Sequence, residues 1–232
     1  MTTTLQIPRG AYTALVTPFI NTVDGYAQSV DEHGINQHAF KRQVQRQLEA
    51  GIDGLVILGT TGESPTVDVD ERRVLFHTAA EQRDLYQERS GRFVPLYLGT
   101  GSNSTRHTQY DTRHAEILGA DGVLVVSPYY NKPTQEGLFQ HFRAVAHSTS
   151  LPVMVYNIPG RTGVNIETET MLRIVNACDN VVAVKEASGN RDQIKDVIKK
   201  LKEARPEISI MSGDDALTPF VMRQGDDALT PF

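Results

Sequence analysis

A lysine stands at the end of a short apolar stretch, where Val181-Val182-Ala183-Val184 leads directly into Lys185. A continuous apolar stretch is typical of a buried strand, so the ammonium group would lie inside the fold or at its mouth. Burial disfavours the charged form and yields the neutral amine that attacks ketones. A lysine that extends from a strand end into solvent fits the same pattern. Lys185 is therefore a candidate nucleophile, and Glu186, on the opposite face, a candidate structural residue.

A loop rich in glycine and hydroxyl groups follows another apolar stretch. Its sequence, GTTGES at 59–64, contains Thr60 and Thr61. Hydroxyl and backbone N–H groups of this kind suit a carboxylate ligand. The alternative is a plain strand-to-helix turn, in which the glycines allow positive φ and the hydroxyls make local hydrogen bonds.

Three tyrosines and an arginine follow two further apolar stretches. Tyr129 and Tyr130 lie in SPYYN at 127–131, whereas Tyr156 and Arg161 lie in YNIPGRTG at 156–163. Singly, such tyrosines usually pack and such an arginine is usually solvated. The carboxyl ends of parallel strands share one edge, so we expect these side chains to converge there. The arginine fork suits a substrate that bears a carboxylate.

The elements that must position these residues are short strands alternating with helices. We predict seven strands, at 12–17, 54–58, 93–98, 122–126, 152–156, 181–185 and 208–211. Apolar residues at helical spacing predict helices around 40–48, 138–145, 171–175 and 194–201. Asp68 and Glu71 predict a capping box at the start of a further helix, and 21–36 and 99–104 are predicted loops. This order indicates parallel α/β architecture.

Composition excludes several classes of function. The 232 residues carry a net charge of −5, with 39% apolar residues and one cysteine, Cys178. We therefore expect a cytoplasmic protein that binds neither nucleic acid nor membrane. No histidine ends a predicted strand, and HExxH, GxxxxGK[ST] and strand-linked GxGxxG motifs are absent, so we expect no metal and no cofactor. Asp214 and Asp215 follow the seventh strand, which disfavours a phosphate site there.

An exact repeat marks the end of the sequence, because GDDALTPF occurs at 213–220 and again at 225–232. A barrel of this class has eight strands, and the eighth is expected to be missing. We predict a truncated barrel domain at 1–220 and a repeated tail at 221–232. Two alternatives follow: an enzyme whose barrel is closed by the tail or by a partner subunit, or a non-catalytic remnant with exposed strand edges.

Six separated motifs resemble those of one known family. They are ALVTPF (14–19), GTTGES (59–64), SPYYN (127–131), YNIPGRTG (156–163), KEASG (185–189) and SGDDALT (212–218). The chain resembles the dihydrodipicolinate synthase branch of the pyruvate-dependent class I aldolases, which also include N-acetylneuraminate lyase. The resemblance implies a (β/α)8 TIM barrel and a homotetramer built as a dimer of dimers. It implies condensation of pyruvate with aspartate 4-semialdehyde in lysine biosynthesis, without a cofactor.

The resemblance also implies catalytic roles for four residues. Lys185 would form the Schiff base, and Tyr156 would act beside it as general acid and base. Thr60 and Tyr130 would complete a proton relay, with Tyr130 supplied by a neighbouring subunit.

Three binding roles are implied in the same way. Thr61 would bind the carboxylate of pyruvate, and Gly213 would line the pyruvate pocket. Arg161 would bind the carboxylate of the second substrate. The Arg-Thr-Gly at this turn favours the synthase over the lyase.

Overall fold

Eight parallel strands form a closed barrel in chain order, from β1 to β8. The computed structural model describes residues 7–20 and 34–224, and the backbone of 228–229. The strands are β1 (Gly10–Ala14), β2 (Gly54–Ile57), β3 (Leu96–Gly99), β4 (Gly122–Val126), β5 (Val153–Asn157), β6 (Val181–Glu186), β7 (Ser209–Ser212) and β8 (Ala228–Leu229). All seven predicted strands are confirmed, with shifted ends.

The shifts have local causes. Strand β3 begins after Pro95 rather than at the predicted residue 93, because proline has no N–H to donate to a neighbouring strand. Strand β1 ends at Ala14, and Val16, which the prediction included, is 48% exposed. Of the predicted loops, 100–104 is irregular, and 21–33 lies outside the described residues.

Helices follow the first seven strands and form the outer layer. They are α1 (Gln37–Glu49), α2 (Val69–Ser90), α3 (Thr105–Leu118), α4 (Gln135–Ala146), α5 (Pro159–Thr162), α6 (Thr168–Ala177), α7 (Arg191–Ala204) and α8 (Thr218–Arg223). The capping box is confirmed: the Asp68 side chain accepts from the Glu71 N–H, and the Glu71 side chain accepts from the Asp68 N–H, both at 2.9 Å.

Helix α3 had no apolar pattern in the sequence because its buried side chains are small. They are Thr108, Thr112 and Ala115. The Thr112 hydroxyl lies 2.9 Å from that of Thr100, so this face is held partly by hydrogen bonding. A periodicity search for large apolar residues misses such a helix.

The repeated tail supplies β8, which has two residues. Ala228 lies opposite both Gly10 of β1 and Met211 of β7, so β8 pairs with both neighbours. The predicted incomplete barrel is confirmed in that seven strands of four to six residues are present and the eighth position holds only this short segment. Of the two alternatives for the edges of β1 and β7, closure by the tail is the one observed, because β8 pairs with both strands. Helix α8 crosses the proposed boundary at residue 220, and the division into barrel and tail stays a prediction.

Two apolar layers hold the barrel together. One lies between strands and helices and includes Phe40, Phe76 and Phe142. The other fills the barrel interior, where Tyr12 and Tyr97 meet edge to face with ring centroids 5.8 Å apart. The aromatic pair occupies the amino-terminal end of the strands and leaves the carboxyl-terminal end for the site. Within the described residues, no helix is long and apolar enough to cross a membrane.

Candidate active site

Lys185 and Tyr156 form the centre of the site. They lie opposite each other in the register of β6 and β5, and the Lys185 ammonium nitrogen is 4.6 Å from the centre of the Tyr156 ring. Lys185 is only 7% exposed. Burial lowers the Lys185 pKa to about 8, although the nearby carboxylate of Asp215 acts in the opposite direction. At pH 7 roughly a tenth of Lys185 is therefore the neutral amine, against well under a thousandth at the ordinary lysine pKa.

Tyr156 is tied to the loop after β2. Burial raises the pKa of the Tyr156 phenol, while a hydrogen bond with the Thr60 side chain and the positive charge of Arg161 both lower it. Thr60 and Arg161 thus favour the phenolate that burial disfavours. The phenol has a hydrogen-bonded route for its proton and lies beside the amine.

Loop 59–64 is fixed by contacts on both sides. The Thr17 hydroxyl donates to the carbonyl of Gly62 at 2.7 Å, and the Arg72 guanidinium donates to the carbonyl of Ser64 at 2.7 Å. Leu58, just before the loop, has a φ of 57°. Its carbonyl approaches Gly99 so closely that a side chain at 99 would collide with it. These contacts place Thr60 and Thr61 over the barrel mouth.

A cavity of about 500 Å³ opens at the carboxyl ends of the strands. Six of the seven predicted site residues line it: Thr60, Thr61, Tyr156, Arg161, Lys185 and Gly213. A smaller cavity of about 210 Å³ adjoins it and shares Thr60, Tyr156 and Arg161. The predicted convergence of these side chains on one edge of the barrel is what the structure shows.

Gly213 allows Lys185 to lie where it does. A Cβ atom at position 213 would lie 2.9 Å from Cε of Lys185 and 3.0 Å from Cβ of Ala187. The lysine stem therefore passes over a position at which only glycine leaves room. This gives Gly213 a physical reason to be near the nucleophile.

Tyr130 is the predicted site residue that does not join the others. It follows β4, has a φ of 72° and is 88% exposed. Its N–H donates to the carbonyl of Thr162 at 3.2 Å, so the backbone is anchored while the side chain extends into solvent. Tyr130 lines neither of the two cavities.

Residues 8–230 match the sequence profile of the dihydrodipicolinate synthetase family. The chain belongs to this family. It is 47% identical over 206 residues to 4-hydroxy-tetrahydrodipicolinate synthase 1 of Halalkalibacterium halodurans, covering 89% of this chain and 63% of that protein.

Solved structures of the family have the same fold. A monomeric dihydrodipicolinate synthase variant is 43% identical, with a TM-score of 0.86, and the match covers 96% of this chain and 68% of that one. The pyruvate complex of dihydrodipicolinate synthase from Acinetobacter baumannii is 32% identical, with a TM-score of 0.81, covering 97% and 70%. The chain thus spans roughly two thirds of the length of the family members that it matches.

Glu186 has the structural surroundings predicted for it. Its carboxylate is buried and accepts hydrogen bonds from the Asn157 amide at 3.2 Å and the Ser188 N–H at 2.6 Å. Burial raises its pKa. Glu186 thus joins the turn after β6 to the end of β5.

Sequence reasoning missed two acids as site residues. Asp214 and Asp215 also line the large cavity. The available signal was their position directly after the seventh strand, because the carboxyl ends of barrel strands carry the site. Within the described residues, no cluster of His, Cys, Asp or Glu side chains is arranged to hold a metal ion.

Proposed function

We propose that this chain carries the active site of a 4-hydroxy-tetrahydrodipicolinate synthase, which condenses pyruvate with aspartate 4-semialdehyde in lysine biosynthesis. The observation that carries the proposal is the buried Lys185, with a pKa of about 8, beside the Tyr156 phenol at the barrel mouth. A neutral amine next to a proton donor is the arrangement that Schiff-base formation requires. Membership of the family supports the choice of substrates.

The first half of the mechanism forms an imine. The lone pair of Lys185 Nζ attacks the ketone carbon of pyruvate to give a carbinolamine. Tyr156 donates a proton to the carbinolamine hydroxyl, which leaves as water, and the nitrogen becomes an iminium. Proton transfer by a placed group typically contributes about 10²–10⁴-fold to rate.

The second half forms the carbon–carbon bond. The iminium acidifies the pyruvate methyl group, whose proton returns through Tyr156 and Thr60, and the neutral enamine results. The enamine carbon attacks the aldehyde carbon of the second substrate, whose oxygen takes the proton that Tyr156 received, and the nitrogen of Lys185 becomes an iminium again. The amino group of the second substrate, once deprotonated, attacks the iminium carbon and closes the ring. The bond from that carbon to Lys185 then breaks, and the free lysine amine is restored. No cofactor is needed, because the iminium itself accepts the electron pair.

The other residues that line the cavity orient the two substrates. Thr61 holds the pyruvate carboxylate above Gly213, close to Lys185. Arg161, on the opposite wall in α5, binds the carboxylate of the aldehyde substrate through its guanidinium. The cavity of about 500 Å³ leaves room for both substrates together.

We further propose a cytoplasmic enzyme that assembles as a dimer of dimers, which is what the family resemblance implies. The exposed Tyr130 supports the assembly into an oligomer. A tyrosine that is 88% exposed on an anchored loop is placed to enter a neighbouring subunit. The test is to mix Tyr130→Phe with Lys185→Ala. If the relay is shared, the mixture gains synthase activity that neither variant has, whereas an unchanged mixture contradicts sharing.

The decisive experiment traps the imine. Intact-mass spectrometry after incubation with pyruvate and borohydride, followed by peptide mapping, is expected to show one reduced adduct on Lys185. Lys185→Ala should abolish the adduct, and Lys200→Ala, which removes a surface lysine, should retain it. An unlabelled wild-type chain would instead support the non-catalytic remnant. An adduct followed by turnover of N-acetylmannosamine, with none of aspartate 4-semialdehyde, would support N-acetylneuraminate lyase.

A further inference from the structure

The two acids after β7 differ in their hydrogen bonding. The Asp214 carboxylate accepts from the Ala216 N–H at 3.0 Å, which stabilises the turn. The Asp215 carboxylate has a buried oxygen, Oδ2, that accepts no hydrogen bond in the described part of the chain. Asp214 therefore has a structural partner, and Asp215 has a free acceptor in a cavity wall.

A buried carboxylate oxygen without a partner is costly. Asp215 interacts electrostatically with Lys185, so the lysine ammonium balances its charge in the empty site. That balance ends during the proposed reaction, because the enamine nitrogen on Lys185 is neutral. When the aldehyde binds, Lys185 therefore no longer offers a positive charge to the Asp215 carboxylate.

The charges around the cavity suit a zwitterion. Arg161 supplies a cation on the side of α5, and the acids 214–215 lie on the side of β7. The aldehyde substrate proposed above carries one carboxylate and one ammonium group on the same carbon. Two opposite charges on the substrate thus meet two opposite charges on the protein.

We propose that Asp215 determines specificity for an amino-bearing aldehyde by binding its ammonium group, while Arg161 binds its carboxylate. This inference rests on the proposed function and extends it to the recognition of the second substrate. The resulting charge-assisted hydrogen bond satisfies Asp215 Oδ2. An aldehyde without the amino group leaves that oxygen unpaired, and the site rejects it for this reason.

The test uses protein saturated with pyruvate, so that Lys185 is held as the imine or enamine and differences in imine formation cancel. Initial rates give the KM for aspartate 4-semialdehyde and, by competition, the inhibition constant for succinic semialdehyde, which lacks only the amino group. Asp215→Asn is expected to weaken the binding of aspartate 4-semialdehyde roughly tenfold and the binding of succinic semialdehyde less than twofold. Asp215→Ser should give the same pattern.

Two control variants sharpen the result. Asp214→Asn removes the same charge from the same turn and retains an acceptor for the Ala216 N–H; it should change the ratio of the two constants less than threefold. Arg161→Ala should weaken both aldehydes equally, because both carry the carboxylate.

The outcomes separate the two proposals. Equal weakening of both aldehydes by Asp215→Asn, or no weakening of either, would overturn the role of Asp215 while the Schiff-base function stands. A wild-type chain that forms no adduct would overturn the proposed function, and the role of Asp215 with it.

Discussion

The barrel interior buries a pair of large side chains with polar tips at each end. At the amino-terminal end of the strands the pair is Tyr12 and Tyr97, and at the carboxyl-terminal end it is Tyr156 and Lys185. All four are less than a tenth exposed. The ends differ in what surrounds them: the first pair is packed into the core, whereas the second faces a cavity.

The charges nearby act in opposite directions at the two ends. Burial raises the pKa of both Tyr12 and Tyr97, and the carboxylate of Asp121 raises both further. At the other end, burial raises the pKa of Tyr156 as well, but a hydrogen bond from Thr60 and the charge of Arg161 oppose that rise. Tyr12 and Tyr97 therefore stay protonated and act as packing groups. Tyr156 carries the same phenol group, but it can transfer protons because its neighbours favour the anion and the cavity admits a substrate.

The largest effect is expected when the hydroxyl group of one tyrosine is removed at each end of the barrel. Tyr156→Phe is expected to slow imine formation by about 10²–10⁴-fold, because proton transfer to the carbinolamine is lost. Tyr97→Phe, the matched change at the other end, should alter the rate less than threefold. Rapid-quench borohydride trapping measures both rates. Equal rates for the two variants would show that the surroundings of Tyr156 confer no catalytic advantage.

The pH dependence of trapping provides a second test. With a pKa of about 8 for Lys185, the neutral fraction and the initial trapping rate should rise roughly 50-fold from pH 6 to pH 8 and then level off. The rate rises with pH because only the neutral amine attacks, and it levels off near pH 8 because burial disfavours the ammonium form and lowers the pKa. The rate is measured by quenching at early times in buffers of constant ionic strength. A rate that continues to rise tenfold per unit up to pH 10 would mean that burial has not lowered the lysine pKa.

Replacing one glycine by alanine at each end of the barrel interior tests how tightly the two ends are packed. A Cβ at Gly54 would overlap the ring of Tyr12 in the core, so Gly54→Ala is expected to destabilise the protein by about 2 kcal/mol. At Gly213 the nearest atom is Cε of a flexible lysine, at 2.9 Å, so Gly213→Ala should cost less stability and instead slow trapping. Urea unfolding and the trapping assay separate the two effects. Slower trapping in Gly54→Ala at unchanged stability would contradict this division.

Much of the fold and the site could be predicted from the sequence because the signals are local. Continuous apolar stretches mark the parallel strands, and the Asp68–Glu71 spacing marks the start of α2. Residues at the carboxyl ends of those stretches must lie at one edge of the barrel, so Lys185 and Tyr156 are predicted to lie close together. Helix α3 escaped because its buried face is built from threonine and alanine.

Only the tertiary structure decided features that depend on residues far apart in the chain. The sequence contains the repeated GDDALTPF, but its pairing with both β1 and β7 depends on where the seven preceding strands leave a gap. Likewise, two adjacent aspartates are alike in sequence, and only the turn around them gives Asp214 a hydrogen-bond partner and leaves Oδ2 of Asp215 without one among the described residues. Local residue patterns determine which elements form and which groups reach the barrel mouth. The pKa of each group and its free hydrogen-bonding capacity depend on neighbours that only the closed barrel brings close.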